Sequence, residues 1–176
     1  MKRALALAGL LTASAAAAGP ADWAGTWTGE CVLTPAHEGI ERFPASLTIG
    51  VTDDPMRLRW MLIYETGQRD VRNYELVTVD AAAGRYVVDE KNGLKLEAGF
   101  ADGVLYAPFT IGQALIVASY RVGADGVMHA DMPSFANTPS GEPTCLEAAP
   151  ETCTRSFALQ GTQHCALKKQ AMRKLD

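Results

Sequence analysis

The feature that most constrains the fold is a regular alternation of apolar and polar residues. In ASLTIGV, residues 45–51, every second residue is apolar, and LKLEAGF, residues 94–100, repeats the pattern. A period of two is typical of antiparallel strands with one buried face. Further strands are predicted at residues 25–34, 57–64, 70–80, 85–90, 104–112, 114–122, 127–132 and 154–160.

Turn sequences separate these segments at intervals of roughly nine to fifteen residues, too short for crossover helices. Asn92-Gly93, Asp102-Gly103 and Asp125-Gly126 supply the positive φ angles of tight hairpins. A meander of about ten strands must curl, and closure removes its exposed edges. We therefore predict an all-β fold, an antiparallel up-and-down barrel or half-barrel of about 8–10 strands. Residues 133–150 are predicted to be irregular, and the 3.6-residue pattern of HCALKKQAMRKLD, residues 164–176, predicts a short C-terminal helix.

The first 18 residues have the pattern of an export signal. Lys2 and Arg3 precede an uncharged apolar stretch, and Ala16 and Ala18 provide the small residues before a cleavage site. We expect cleavage after Ala18 or Ala21, and a single domain over residues 19–176. No later stretch is apolar and long enough to span a bilayer, so the sequence predicts a periplasmic or secreted protein.

The charge balance argues against nucleic acid as a partner. Loss of the signal leaves 14 of the 16 basic residues against 20 acidic ones, a net charge of −6. Phosphate backbones demand a basic face, whereas a modest acidic surplus usually serves solubility.

The four cysteines predict two disulfides, because an even count in an exported chain favours disulfides over a metal site. Cys145 and Cys153 flank a short loop and are expected to form a local disulfide. That leaves Cys31 with Cys165, which would join the first strand to the chain end. Four cysteines allow three connectivities, and the sequence alone does not exclude the other two.

GTWTGEC, residues 25–31, contains a G-x-W at the start of the first strand, ahead of a meander. In these respects the chain resembles the calycin superfamily, the lipocalins and their relatives. The resemblance implies that Trp27, with Gly25 before it, closes one barrel end, and that Arg155 on the final strand packs across the indole. Such a cation–π contact contributes about 0.5–2 kcal/mol.

The chain departs from the lipocalins in its higher strand count and in lacking their T-D-Y motif and their helix before the last strand. The longer form GTWTGE also resembles the nitrobindin-like haem barrels, which have ten strands and bind haem through a histidine near the chain end. The nearest positional match here is His164. No flanking motif accompanies it.

The sequence contains no recognisable metal, cofactor or catalytic motif. His37, His129 and His164 are scattered, and no H-E-x-x-H, G-x-S-x-G or glycine-rich phosphate loop is present. Adjacent pairs such as Asp53-Asp54 point apart in strands and are typical of hairpins. We therefore predict no metal and no cofactor, and the sequence does not indicate an enzyme.

Aromatic residues recur along the central strands. Trp60 and Tyr64 share one face of their strand, and Tyr74 and Tyr86 can project to the same side. If these faces point inward, they form an apolar lining with hydroxyls that orient a ligand. They could equally fill a ligandless core.

Two functions follow. The first is an exported binding protein for a small apolar ligand, with residues 34–44 as a lid and the four aromatics as the site. The alternative is a protein-binding module, such as a hydrolase or protease inhibitor, whose recognition loop is residues 133–153.

Overall fold

The computed structural model describes residues 19–171 and consists of twelve strands and one 3₁₀ turn, Pro20–Trp23. Gly25–His37 forms β1, Ile40–Val51 β2, Arg57–Glu65 β3, Arg69–Asp80 β4, Arg85–Asp89 β5, Lys95–Ala101 β6, Val104–Ile111 β7, Ala114–Val122 β8, Val127–Ala136 β9, Ser140–Leu146 β10, Ala149–Ser156 β11 and Leu159–Lys169 β12.

Ten of these strands form a closed antiparallel barrel in the order β1-β12-β9-β8-β7-β6-β5-β4-β3-β2. The predicted all-β up-and-down barrel is confirmed, and it is a closed barrel rather than a half-barrel. Such a barrel is compatible with a calycin-like fold. Its hairpin turns lie where the sequence placed them: Asp102 and Gly103 have φ angles of 51° and 78°, as a tight hairpin requires.

The first and last strands meet along one seam. Cys31 of β1 lies directly opposite Cys165 of β12, and their sulfurs are bonded at 1.96 Å. The two backbones run so close at Gly29 that a Cβ there would collide with the carbonyl oxygen of Ala166. Glycine is therefore required at this point of the seam for steric reasons.

The inward faces of the strands form one core, and the alternation in the sequence identifies them. β2 buries Phe43, Ala45, Leu47 and Ile49, whereas the residues between them are less buried. β3 buries Leu58, Trp60, Leu62 and Tyr64 in the same way.

The predicted C-terminal helix is not seen. Residues 164–169 continue β12, in which His164, Ala166 and Lys168 are exposed while Cys165 and Leu167 are buried. The prediction failed because a segment as short as residues 164–169 fits both a period of two and a helical period. The last predicted helical positions, residues 172–176, lie outside the described residues.

The segment between β9 and β12 is also different from the prediction. Residues 133–150 are not irregular, because β9 extends to Ala136 and β10 pairs with β11 in a separate two-stranded sheet. We call this hairpin, residues 140–156, the arm. The Cys145–Cys153 bond spans it with an S–S distance of 2.01 Å, so both predicted cysteine pairs are confirmed.

The predicted strand over residues 154–160 is divided between two elements: β11 ends at Ser156 and β12 begins at Leu159. Residues 34–44 are not a loop either, since β1 and β2 extend through them to a tight turn at Glu38 and Gly39. The predicted signal, residues 1–18, lies outside the described residues. Within residues 19–171, no helix is long and apolar enough to cross a membrane.

Candidate functional site

One end of the barrel is filled by aromatic side chains, and we call it the plugged end. Trp23, from the 3₁₀ turn, packs against Trp60 at 6.5 Å and Phe100 at 5.8 Å between ring centroids. Trp27 is 3% exposed, and its Nε1 donates a 2.9 Å hydrogen bond to the carbonyl oxygen of Trp23. The plugged end is therefore apolar, and the one polar atom of Trp27 has its partner.

The cation over Trp27 is Lys169, not Arg155. The Lys169 Nζ lies 5.3 Å from the centroid of the Trp27 ring. Arg155 is exposed on β11 of the arm, outside the barrel. The prediction was wrong because the final barrel strand is β12, which brings Lys169 opposite Trp27.

The lumen is incompletely filled above the plugged end. Trp60 and Tyr120 meet edge to face at 5.1 Å, within the lining of a small inner cavity of about 60 Å³. Its other lining residues are Leu62, Tyr64, Arg72, Tyr74, Val88, Glu90, Leu96, Ala107, Phe109, Ala118 and Met132.

A wider cleft of about 440 Å³ opens at the other end of the barrel, which we call the open end. The cleft shares Arg72, Phe109 and Met132 with the inner cavity. Its apolar wall also includes Leu33, Ile111 and Ile116, and its polar groups include Gln163, Ser134 and His37. A volume of this size is in the range of small-molecule sites.

The Tyr64 hydroxyl is a buried polar group without a hydrogen-bond partner among the described residues. Burial raises the pKa of this phenol, so it keeps its proton at neutral pH. Gln163 lies close enough to work against that rise. However, the Gln163 Nε2 is directed at Cys165 Sγ, 3.4 Å away, and at Met132 Sδ, 3.8 Å away. Within residues 19–171, the Tyr64 hydroxyl thus remains a buried polar group without a partner, next to Gln163.

Arg72 brings a positive charge into the same region. Its Cζ lies 5.0 Å from the centroid of the Tyr64 ring, and its Nε and Nη2 both lie 2.9 Å from Asp70 Oδ2. Partial burial works to lower the pKa of Arg72, but the Asp70 hydrogen bond and the neighbouring Tyr64 phenol outweigh it, and the net pKa is raised.

The structure brings three of the four predicted ligand residues together. Trp60 and Tyr64 are 2% and 5% exposed, and they line the inner cavity with the half-buried Tyr74. Tyr86 is also buried, but it packs against Phe100 at the plugged end. It lies apart from the other three because the strand register pairs Tyr86 with Thr78, four residues along β4 from Tyr74.

Sequence reasoning missed Arg72, Phe109, Met132 and Gln163. A signal for Arg72 was present: in DVRNYELV it shares the face of Tyr74 and Leu76, so the period of two points all three inward. Gln163 could not be found, because the helix predicted over its neighbours obscured β12. Phe109 lies in a strand that is apolar on both faces, where alternation does not identify the lumen side.

His164, the position implied by the haem-barrel resemblance, lies on the outer face of β12. Its Nδ1 is 2.5 Å from Asp131 Oδ1, and its side chain is 47% exposed. His164 therefore does not face the lumen. Within residues 19–171, no three His, Cys, Asp or Glu side chains are grouped to hold a metal ion.

Comparison with known proteins returned no matching family model, no matching curated protein and no matching solved structure.

Proposed function

We propose that this is an exported binding protein that takes a small apolar molecule into the open end of the barrel. One observation carries the proposal. The lumen is packed with aromatics at the plugged end, but above Trp60 and Tyr120 it leaves a cavity that shares its wall with a cleft of about 440 Å³.

The lining supports an apolar ligand. The cleft is lined in part by four apolar side chains, those of Leu33, Phe109, Ile116 and Met132. Burial of apolar ligand surface contributes about 25 cal/mol per Å², before the cost of association. A few polar groups among apolar walls are typical of small-molecule sites.

Another groove, of about 580 Å³, lies at the plugged end between two hairpin turns and Gly19. Three successive alanines, residues 81–83, form much of its lining, and Asp102 and Tyr86 are its main polar side chains. No unpartnered buried polar atom belongs to this groove in the described part of the chain. It is a weaker candidate than the open end.

Export and a calycin-like role belong to the same proposal. The two disulfides suggest an oxidising environment, which a periplasmic or secreted location provides. A ligand held inside an antiparallel barrel is also what the calycin resemblance of residues 25–31 implies.

The proposal is tested by blocking the cleft with a large side chain. N-phenyl-1-naphthylamine, a neutral apolar fluorophore, should bind the wild-type protein and brighten. Met132→Trp should weaken this binding by about tenfold or more, because the indole occupies the cleft. The matched control is Val71→Trp, which adds the same side chain at an exposed position on β4.

Equal affinity of the wild type and Met132→Trp would show that the fluorophore binds elsewhere, and the proposal would fail. It would also fail if the wild type bound neither this fluorophore nor a panel of fatty acids, retinoids and isoprenoids.

The arm favours a second candidate function, a protein-binding module. It projects from the barrel as a disulfide-linked ribbon, and Leu146 and the nearby Phe157 are 55% and 45% exposed. Exposed apolar side chains on a constrained hairpin suit protein recognition. The test is to assay the wild type and Leu146→Asp against a panel of proteases and glycosidases. Inhibition by the wild type that is lost in Leu146→Asp would support this candidate. Equal inhibition by the wild type and the variant would exclude the arm as the recognition element.

A further inference from the structure

One side chain that lines the inner cavity carries a hydrogen-bond donor that no other described residue satisfies. The Tyr64 hydroxyl is buried and has no partner in the described residues, and the Tyr64 side chain is one of those that line the inner cavity. Buried polar groups normally have a partner, since an unmade hydrogen bond costs free energy. The hydroxyl is therefore suited to an acceptor brought by a ligand.

Arg72 supplies further donors next to this hydroxyl. Asp70 Oδ2 accepts a hydrogen bond from Nε and lies 2.9 Å from Nη2. A guanidinium has five N–H groups, so donors remain for a second acceptor. Because its Cζ lies 5.0 Å from the Tyr64 ring, one small group can contact both residues.

Tyr64 lines the inner cavity, whereas Arg72, Phe109 and Met132 line both the inner cavity and the cleft. The inner cavity, with three tyrosines and Arg72, has a volume of about 60 Å³. That is roughly the space of two water molecules and suits a head group of a few atoms. The larger cleft beyond it carries Phe109, Ile116 and Met132. A molecule whose small polar end reaches Tyr64 and Arg72 would place its larger apolar part in the cleft, against Phe109, Ile116 and Met132.

We propose that the ligand is a compact apolar carboxylic acid, bound with its carboxylate inward against Arg72 and the Tyr64 hydroxyl and its apolar body in the cleft. This inference rests on the function proposed above. A carboxylate accepts hydrogen bonds only, and it matches the planar fork of a guanidinium.

The neighbouring acids limit the charge of the ligand. Asp70 already pairs with Arg72, and Glu90 lines the inner cavity, where its Oε2 accepts a 3.1 Å hydrogen bond from Asn92. A single arginine near two carboxylates favours a monoanion over a phosphate or a dianion. An amine would find these acids but would face Arg72 as a like charge.

The experiment compares three probes that share one chain: decanoate, decanol and decylamine. Each competes with N-phenyl-1-naphthylamine for the wild-type protein near pH 7.5. We expect decanoate to compete at a concentration about tenfold or more below that of decanol. Arg72→Met should abolish this preference and leave decanol unchanged, and Tyr64→Phe should reduce it. Asp70→Asn should strengthen decanoate binding, because it releases guanidinium donors.

The matched control is Arg59→Met, which removes the same charge from an exposed position on β3. It should keep the wild-type preference. Circular dichroism and thermal unfolding should verify that each variant folds, and Tyr64→Phe provides the test if Arg72→Met does not.

Equal competition by decanoate and decanol, or stronger competition by decylamine, would overturn the inference. The proposed function would survive either result if Met132→Trp still excluded the fluorophore. A loss of preference in Arg59→Met as large as in Arg72→Met would also overturn the inference, since total charge rather than the site would then decide. Absence of binding by all three probes and by the fluorophore would instead remove the proposed function.

Discussion

The two ends of the barrel are both rich in aromatic residues, yet they treat polar atoms differently. At the plugged end, the Trp27 Nε1 donates to the Trp23 carbonyl, and Lys169 covers the outer ring face. Toward the open end, the Tyr64 hydroxyl has no partner among the described residues, and the Tyr64 side chain lines an unfilled cavity.

The difference separates a structural core from a candidate binding site. A core gains stability when it fills its volume and satisfies its polar groups. A binding site must leave both volume and donors for the ligand, and the folded protein is less stable as a result. Aromatic content alone therefore does not distinguish the two ends, whereas hydrogen-bond satisfaction does.

The largest expected effect comes from the seam disulfide, which joins the first and the last strand of the barrel. In the chain-entropy model, loss of Cys31–Cys165 in a double alanine variant costs about 5 kcal/mol, because the bond encloses a sequence separation of 134 residues. Loss of Cys145–Cys153, with a separation of 8, should cost about 2.5 kcal/mol. Urea unfolding measures both.

The variant that lacks Cys145–Cys153, the arm variant, is the control for the variant that lacks Cys31–Cys165, the seam variant, because the arm disulfide lies outside the barrel. It should leave fluorophore binding unchanged, whereas the seam variant should weaken it. An arm variant that lost as much stability as the seam variant would contradict the assignment of the seam as the closure point.

The second comparison removes one aromatic from each end. Trp27→Ala should reduce the free energy of unfolding by about 3–5 kcal/mol, as deletion of a buried tryptophan does. Phe109→Ala should cost only about 1 kcal/mol, because that side chain is partly exposed in the cleft. Chemical denaturation of the two variants gives the values, and equal costs would mean that the open end is packed as a core.

The third comparison removes one polar atom from each end, and the signs should be opposite. Tyr64→Phe should raise the free energy of unfolding of the ligand-free protein by about 1 kcal/mol, because it deletes an unsatisfied hydroxyl. Trp27→Phe should lower it by at least about 1 kcal/mol, since the Trp23 carbonyl loses its donor and ring volume is lost. Thermal unfolding of both variants measures the effect. A destabilised Tyr64→Phe would show that the hydroxyl has a partner.

The smallest effect concerns an ion-pair network on the outer wall. Hydrogen bonds from Lys91 and Arg57 lower the pKa of Glu75. A carboxyl whose pKa is lowered by folding contributes to the free energy of unfolding. That contribution is fully present above the pKa of the group in the unfolded chain, and it is lost as the pH falls through the lower pKa of the folded state. The contribution should be about 1 kcal/mol or less, as for other solvent-accessible pairs.

Glu75→Gln removes the titrating carboxyl. The free energy of unfolding of this variant should therefore fall less between neutral and acidic pH than that of the wild type. Binding at the open end should not change, because Glu75 lies on the opposite face of β4 from Tyr74 and Leu76. A change in fluorophore affinity would mean that the outer wall and the lumen are coupled.

The strand positions could be predicted from the sequence because their signals are local. Residues 57–64 and 114–122 match β3 and β8 to within one residue, and the Asp-Gly turns lie where they were expected. The structure of the chain end could not be predicted, because HCALKK is so short that it fits both a period of two and a helical period. Its strand pairing depends on β1 and β9, which lie far away in sequence.

The candidate site was predicted only in part for the same reason. Trp60 and Tyr64 share a face by local alternation, so the sequence placed them on one side, whereas the pairing of β3 with β4 is what sets Tyr74 opposite Trp60. Arg155 was assigned to the final strand because Phe157 and Leu159 continue its alternation, but the chain turns into β12 between them. Only the pairing of β12 with β1 shows that Lys169 meets Trp27.

The sequence by itself determined the all-β class and the hairpins, because turn geometry and alternation arise from neighbouring residues. The cysteine connectivity was a prediction from the sequence, and the strand pairing of the folded chain decided it. The tertiary structure decided closure at ten strands, which faces enclose the lumen, and that Arg72 covers Tyr64 beside Gln163. These features depend on strand tilt and stagger around the closed barrel. Those quantities are set by all the strands together, and no local segment specifies them.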